Sequence, residues 1–137
     1  MRSIVIAVGM VLAASSTQAA DCRHAVLQAQ MNACAAEAYE KADRELNAAY
    51  RELQARAQGE IAKLLVAAQR AWVAFRDAEC AFAASGSAGG SIQPMVISNC
   101  LEGLTKKRTA ELKAYLSCQE ETSPARSSGG SRNAVAS

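Results

Sequence analysis

Residue types capable of chemistry are few and scattered in this 137-residue chain. The single histidine, His24, stands two positions after Cys22. A nucleophilic cysteine needs a thiolate with a base oriented toward it. If Cys22 is oxidised, the pair reduces to half a disulfide and a surface histidine. Asp77 and Glu79 are two residues apart on an expected helix, so they do not face each other and read as a solvated face. Serines concentrate near the start, at 85–91 and after 122, and none is set beside a base. No Cys-x-x-Cys occurs, so neither a redox pair nor a haem attachment site is indicated. With one histidine, a zinc site lacks its nitrogen ligands. The expectation is a chain without catalysis, metal or cofactor.

The five cysteines Cys22, Cys34, Cys80, Cys100 and Cys118 are the densest reactive set. Their meaning depends on the compartment. Arg2, the uncharged apolar run from Ile4 to Ala14 and the small residues around Thr17-Gln18-Ala19 form a secretory signal over residues 1–19. The apolar run is about half the length of a membrane span. Asp21 before Cys22 does not suit lipidation. The mature chain is therefore expected in the periplasm or secreted, with no membrane attachment after cleavage. Disulfides are the default there. Two bridges are expected, and the fifth cysteine leaves a monomer or a Cys118-linked dimer.

Three helical stretches must position these residues. From about Ala25 to Ala57, Leu27, Met31, Cys34, Ala38, Ala42, Leu46, Ala49 and Leu53 recur at steps of three and four. Glu37/Lys41 and Glu40/Arg44 add favourable i,i+4 pairs, and Gly59 reads as a stop. From about Glu60 to Ala84 the apolar side is Ile61, Leu64, Leu65, Ala68, Trp72, Phe75 and Phe82. Ser85 to Ser91 is a Ser/Gly loop. From about Ile92 to Leu116 one side carries Ile97, Leu101, Leu104, Arg108, Leu112 and Leu116, with Ser91 as cap and Pro94 in the first turn. Short loops make antiparallel neighbours. The expected fold is all-α, an up-down-up three-helix bundle over residues 20–121, followed by a disordered Ser/Gly-rich tail at 122–137.

Antiparallel turns near Gly59 and Ala88 set the levels. Cys34, Cys80 and Cys100 gather at one end, within reach of Cys22, and Cys118 lies at the other. Disulfides clustered at one end follow from this. The three connectivities stay open, with Cys22–Cys80 and Cys34–Cys100 favoured. By the same levels Asp43 lies beside Arg76, Asn47 beside Trp72 and Tyr50 near Gln69, with Thr105 and Arg108 at nearby heights. Asp43, Asn47, Tyr50, Gln69, Trp72, Arg76 and Arg108 are expected to form a structural polar network. Asp43 opposite Arg76 reads as an ion pair rather than an acid–base group.

These residues also carry a resemblance. The order Asp21-Cys22, Met31-Asn32-x-Cys34, Ala42-Asp43-x-x-Leu46-Asn47-x-x-Tyr50 leads into Gln69-Arg70-x-Trp72 and Phe75-Arg76-Asp77-x-Glu79-Cys80. It closes with Gly90-Ser91, Cys100-Leu101 and Leu104-Thr105-x-x-Arg108. The pattern resembles the lysozyme-inhibitor LprI-like family of small exported bacterial proteins, over about Asp21 to Cys118. The resemblance implies inhibition of lysozyme by binding.

An inhibitor needs an exposed element for its target's cleft. The loop with Ser85, Ser87, Gly89, Gly90 and Ser91 is the long irregular segment, and its serines suit hydrogen bonds to a muramidase's carboxylates. The expected partner is lysozyme or another cell-wall-active protein. All 13 acidic residues lie within 21–121, while Arg2, Arg126 and Arg132 of the 15 basic ones lie outside. The domain is thus close to neutral and slightly acidic. It has neither the charge nor the compartment for nucleic acid, and it steers weakly toward a basic enzyme. The alternative is a periplasmic structural or interaction protein with another envelope partner.

Overall fold

The computed structural model describes residues 21–121, so the expected signal at 1–19 and tail at 122–137 lie outside the described residues. Three helices make up the fold: α1, Gln28–Arg56; α2, Gly59–Ala83; and α3, Gln93–Glu121. A single 3-10 turn, Ser85–Ser87, joins α2 toward α3. Among the described residues there is no strand. The chain is an all-α, up-down-up three-helix bundle.

Local rules explain the ends. At the start of α1 the Gln30 Oε1 accepts from the backbone N–H of Val26 and of Leu27, each at 3.3 Å, covering two donors that the first turn leaves open. Along α1, Glu52 and Arg56 pair at 2.6 Å, and Glu40 and Arg44 at 3.8 Å. Gly59 does not stop α1. It opens α2 with φ of 57°, a left-handed conformation that a side chain disfavours. Only Ala57 and Gln58 separate the two helices. At α3 the cap expected from Ser91 is replaced by neighbouring groups. The Gln93 N–H reaches the Gly90 carbonyl at 3.1 Å, and Pro94 falls in the first turn.

The core is small and lies mainly between α1 and α3. Leu46, Ala49 and Leu53 of α1 bury against Leu112 and Leu116 of α3, with Tyr50, Leu65 and Trp72 packed around them. Ala35 and Ala42 are also buried on α1, as are Thr105 and Thr109 on α3. Such short side chains allow two helices to close to the lower end of their usual 8–10 Å spacing. These two helices share the most extensive close backbone contact in the fold, and α2 stands off from α1.

Two sequence expectations are corrected here. The first is the face of α2. Ile61, Leu64, Phe75 and Phe82 were expected to face the core, yet they are 63%, 61%, 54% and 75% exposed. The residues that α2 buries are Gln69, Arg76 and Cys80. Helical period was read correctly, but periodicity alone cannot say which stripe faces inward when a polar stripe has partners waiting there.

The second is the disulfide pairing. The bridges are Cys22–Cys34 and Cys80–Cys100, not Cys22–Cys80 and Cys34–Cys100. Levels on rigid helices place Cys80 and Cys100 together, either side of the loop. They do not constrain Cys22, which precedes any helix. The chain there turns, with the His24 N–H on the Asp21 carbonyl at 3.2 Å, and folds back onto α1. Both bridges lie toward the end that carries the α2–α3 loop. Cys118 belongs to neither and is exposed near the opposite end.

Removing Cys80–Cys100 with paired alanines should cost about 3 kcal/mol, because it frees a loop joining two helices. Removing Cys22–Cys34 should cost less. The segment before α1 then frays in the native state as well, so the unfolded chain gains less relative freedom. Thermal melts of the two double variants check the order.

Candidate functional site

Two arrangements stand out. One is a polar cluster between the helices, and the other is the disulfide-bearing tip.

The polar cluster centres on Arg76, whose side chain is 9% exposed. Its Nη2 lies 2.8 Å from Asp77 Oδ1, and its Nε donates to the same oxygen at 2.9 Å. Its Nη1 lies 3.5 Å from Asp43 Oδ1 across the gap to α1. Asn47 donates from Nδ2 to Asp43 Oδ2 at 2.8 Å. The guanidinium also stacks over the Trp72 ring at 5.3 Å and the Tyr39 ring at 5.6 Å. The Arg108 guanidinium sits 6.0 Å from the same Trp72 ring. Arg108 donates from Nε to Gln69 Oε1 at 3.2 Å and pairs with Glu111 at 2.8 Å.

The structure thus brings Asp43, Asn47, Trp72, Arg76, Gln69 and Arg108 into two linked sets sharing one indole. Tyr50 packs against the apolar core and lines the adjoining groove. That groove, about 650 Å³, opens between α1 and α2 and is walled by Asp43, Asn47, Tyr50, Gln54, Gln69, Arg70 and Arg76. Tyr39 and Glu111 went unread in the sequence. Asp77, read as a solvated carboxylate, is the nearer of Arg76's two acidic partners. Tyr39 lies four positions before Asp43 and Asp77 one after Arg76, so helical spacing held the signal for both.

Burial raises the Tyr39 pKa above its ordinary value of 10.0, although the nearby Arg76 opposes the shift. The folded state therefore holds that proton more tightly than the unfolded one. This contribution to stability is complete below pH 10 and is lost as pH rises through the raised value. Tyr39→Phe should flatten the alkaline fall in melting temperature relative to wild type. Arg76→Ala removes two ion pairs and two ring contacts and should lower stability by about 2 kcal/mol, near 10 °C in Tm for a domain of this size. Thermal scans from pH 7 to 11 read both.

The tip is built from turns. Ser87 donates from N–H and from Oγ to the Ala84 carbonyl, at 3.0 and 2.9 Å. The Ala88 N–H reaches the Ser85 carbonyl at 3.2 Å, and the Gly90 N–H reaches that of Ser87 at 2.9 Å. Gly89 has φ of 73° and donates its N–H to Gln93 Oε1 at 3.0 Å. A Cβ on Gly90 would come within 3.1 Å of the Ser87 carbonyl. From α1, Asn32 Nδ2 donates to the Ser91 carbonyl at 2.9 Å. The segment is a tied sequence of turns rather than an open connector. Ser85 and Ser91 stay exposed, while the Ser87 hydroxyl is directed inward. Large apolar side chains stand exposed at the same end: Val26, Leu27, Phe82 and Ile92. Val26 and Ile92 escaped the sequence reading because neither falls on a core-facing stripe.

Chemistry at this end is limited. Cys22 is bridged, so it offers no thiolate. His24 Nδ1 lies 2.9 Å from Asp21 Oδ2, with both side chains largely exposed. Among the described residues no cluster of three or more His, Cys, Asp or Glu side chains could hold a metal ion. No helix among them is long and apolar enough to cross a membrane.

Comparison with known proteins adds a family. A sequence model described as lysozyme inhibitor LprI matches residues 19–112. An uncharacterised protein of Rhizobium meliloti (strain 1021) is 42% identical over 113 residues, spanning 73% of this chain and 81% of that one. No solved structure matches the chain.

Proposed function

The chain belongs to the lysozyme inhibitor LprI family, and from that premise we propose that it is an exported binding protein that blocks a muramidase without catalysis. The family match is the observation that carries the reading. The tip supports it physically. Two disulfides suit an oxidising compartment. A segment already tied by its own hydrogen bonds loses little freedom on docking, which lowers the cost of binding. Ser85 and Ser91 supply hydroxyls for the target's carboxylates, and Val26 and Ile92 supply apolar contact beside them. The polar cluster around Arg76 holds the helices that present this tip.

The near-neutral charge keeps one other reading in view. A basic lysozyme would be captured faster by a strongly acidic partner, so a different envelope protein or cell-wall component fits the weak steering equally well.

Titrating the oxidised chain into chicken-type, goose-type and phage-type lysozymes acting on cell walls tests the proposal. The expected result is dose-dependent protection against one class. Replacing Ile92 by Asp together with Ser85 and Ser91 by Ala should weaken protection by about tenfold or more, equivalent to about 1.4 kcal/mol, with an unchanged melting temperature. Absence of protection against all three at about 100 μM, an affinity near −5.5 kcal/mol, would exclude the inhibitor reading.

A further inference from the structure

The apolar stripe of α2 is largely uncovered: Phe75 and Phe82 stand in the open, while Ile61, Leu64 and Ala68 also edge an apolar groove with Leu53 and Tyr115. Its large members are Ile61, Leu64, Phe75 and Phe82, all more than half exposed. Between them stand Ala68, Ala71 and Ala78, also exposed. Positions 61, 64, 68, 71, 75, 78 and 82 alternate steps of three and four, the period of a helix–helix seam. Beside this seam Ala67, Ala74 and Ala81 follow one another at seven-residue intervals and are exposed too. The face they form is free of charge from Leu64 to Ala78. Lys63, Arg70 and Asp77 run along one edge and Glu79 lies on the other.

We propose that this face is an interface with a second copy of the same chain, α2 packing antiparallel on α2. The area is of the right size. Leu64, Phe75, Phe82 and the alanines between and beside them present roughly 600 Å² per copy, at the lower end of the range per partner in a specific interface. Monomeric proteins seldom leave so large an apolar patch uncovered.

The sequence of the face matches itself when reversed. A two-fold axis near Val73 sets Phe82 against Leu64 of the second copy and Phe75 against Ala71 of the second copy. Ala78 meets Ala68. Large side chains thus meet small or medium ones, and every contact occurs twice, as an isologous interface demands. Arg70 falls opposite Asp77 of the second copy. A parallel pairing would instead stack Phe75 on Phe75 and Ala71 on Ala71, large on large and small on small. Residues 122–137 offer little to cover the stripe from within the chain. They are mostly Ser, Gly, Arg and Ala, with Val135 their one large aliphatic side chain.

The test uses residues 20–137, which hold every described element, with Cys118→Ser throughout so that linkage through that thiol plays no part. Sedimentation equilibrium at about 100 μM should give an average mass at least midway between one chain and two, the midpoint corresponding to an affinity of about −5.5 kcal/mol. Phe75→Glu and Ala71→Glu should each return the monomer mass. Both positions are exposed, so helicity should hold. A monomer in the unsubstituted face, or a dimer that survives both substitutions, overturns the proposal. Geometry is read by oxidative cross-linking. Ala68→Cys with Ala78→Cys should link two copies, while Ala68→Cys alone should not, since its counterparts then lie about 15 Å apart along the helices. Linkage by the single variant would overturn the antiparallel arrangement. Phe75 and Ala71 are away from the tip, so loss of the dimer and loss of lysozyme protection are separable results.

Discussion

A guanidinium removed from water must find partners, and Arg76 imposes that demand on the whole bundle. Its side chain is almost fully covered. Asp77 on its own helix and Asp43 on the facing one answer the charge, and the Trp72 and Tyr39 rings answer its flat faces. To bring these together, α2 must turn its polar stripe inward. An arginine flanked by two rings is also wide, so α2 cannot approach α1 as closely as α3 does. The polar groove between α1 and α2 and the largely uncovered apolar stripe of α2 are two results of the same orientation.

Stability is divided accordingly. The α1–α3 contact relies on short side chains and close backbones, with Leu46 and Leu112 as its large fully buried members. Alanines bury little area each, so this seam gains less from the hydrophobic effect than a leucine-rich one would. α2 is held by ion pairs, ring stacking and the Cys80–Cys100 bridge. A small core supplemented by disulfides is a common solution in small exported domains. The Cys22–Cys34 bridge acts elsewhere, fixing the chain before α1 against α1 itself.

Much of this was legible in the residues, for reasons that can be named. Three long stretches with a 3.6-residue period and almost no internal breakers leave few alternatives to a three-helix bundle. Arg76 is legible as the neighbour of Asp43 because both lie a similar distance from one turn on rigid rods. Cys22 lies at the expected end, but its partner was not legible, since a residue before the first helix is not on a rod. Asp77 was legible only as one of two carboxylates with Glu79, whereas a long arginine can reach the neighbour next to it on its own helix. The inward face of α2 was misread for a different reason. Hydrophobic period predicts burial only if the partner surface is in the same chain, and for Phe75 and Phe82 no such surface is present among the described residues.

The two bridges have an order in time as well as a place in space. Each joins neighbours in the cysteine sequence, Cys22 to Cys34 and then Cys80 to Cys100, at separations of 12 and 20 residues. A chain that emerges amino end first presents each pair complete before the next begins. An oxidant that simply joins cysteines as they appear therefore makes the observed pairing, with no wrong bridge to undo. An interleaved pairing, Cys22–Cys80 with Cys34–Cys100, would have required Cys22 and Cys34 to wait as thiols until most of the domain had emerged. Cys118 arrives last, after the other four have been used. Connectivity of this kind leaves a disulfide-shuffling catalyst no crossed pairing to resolve.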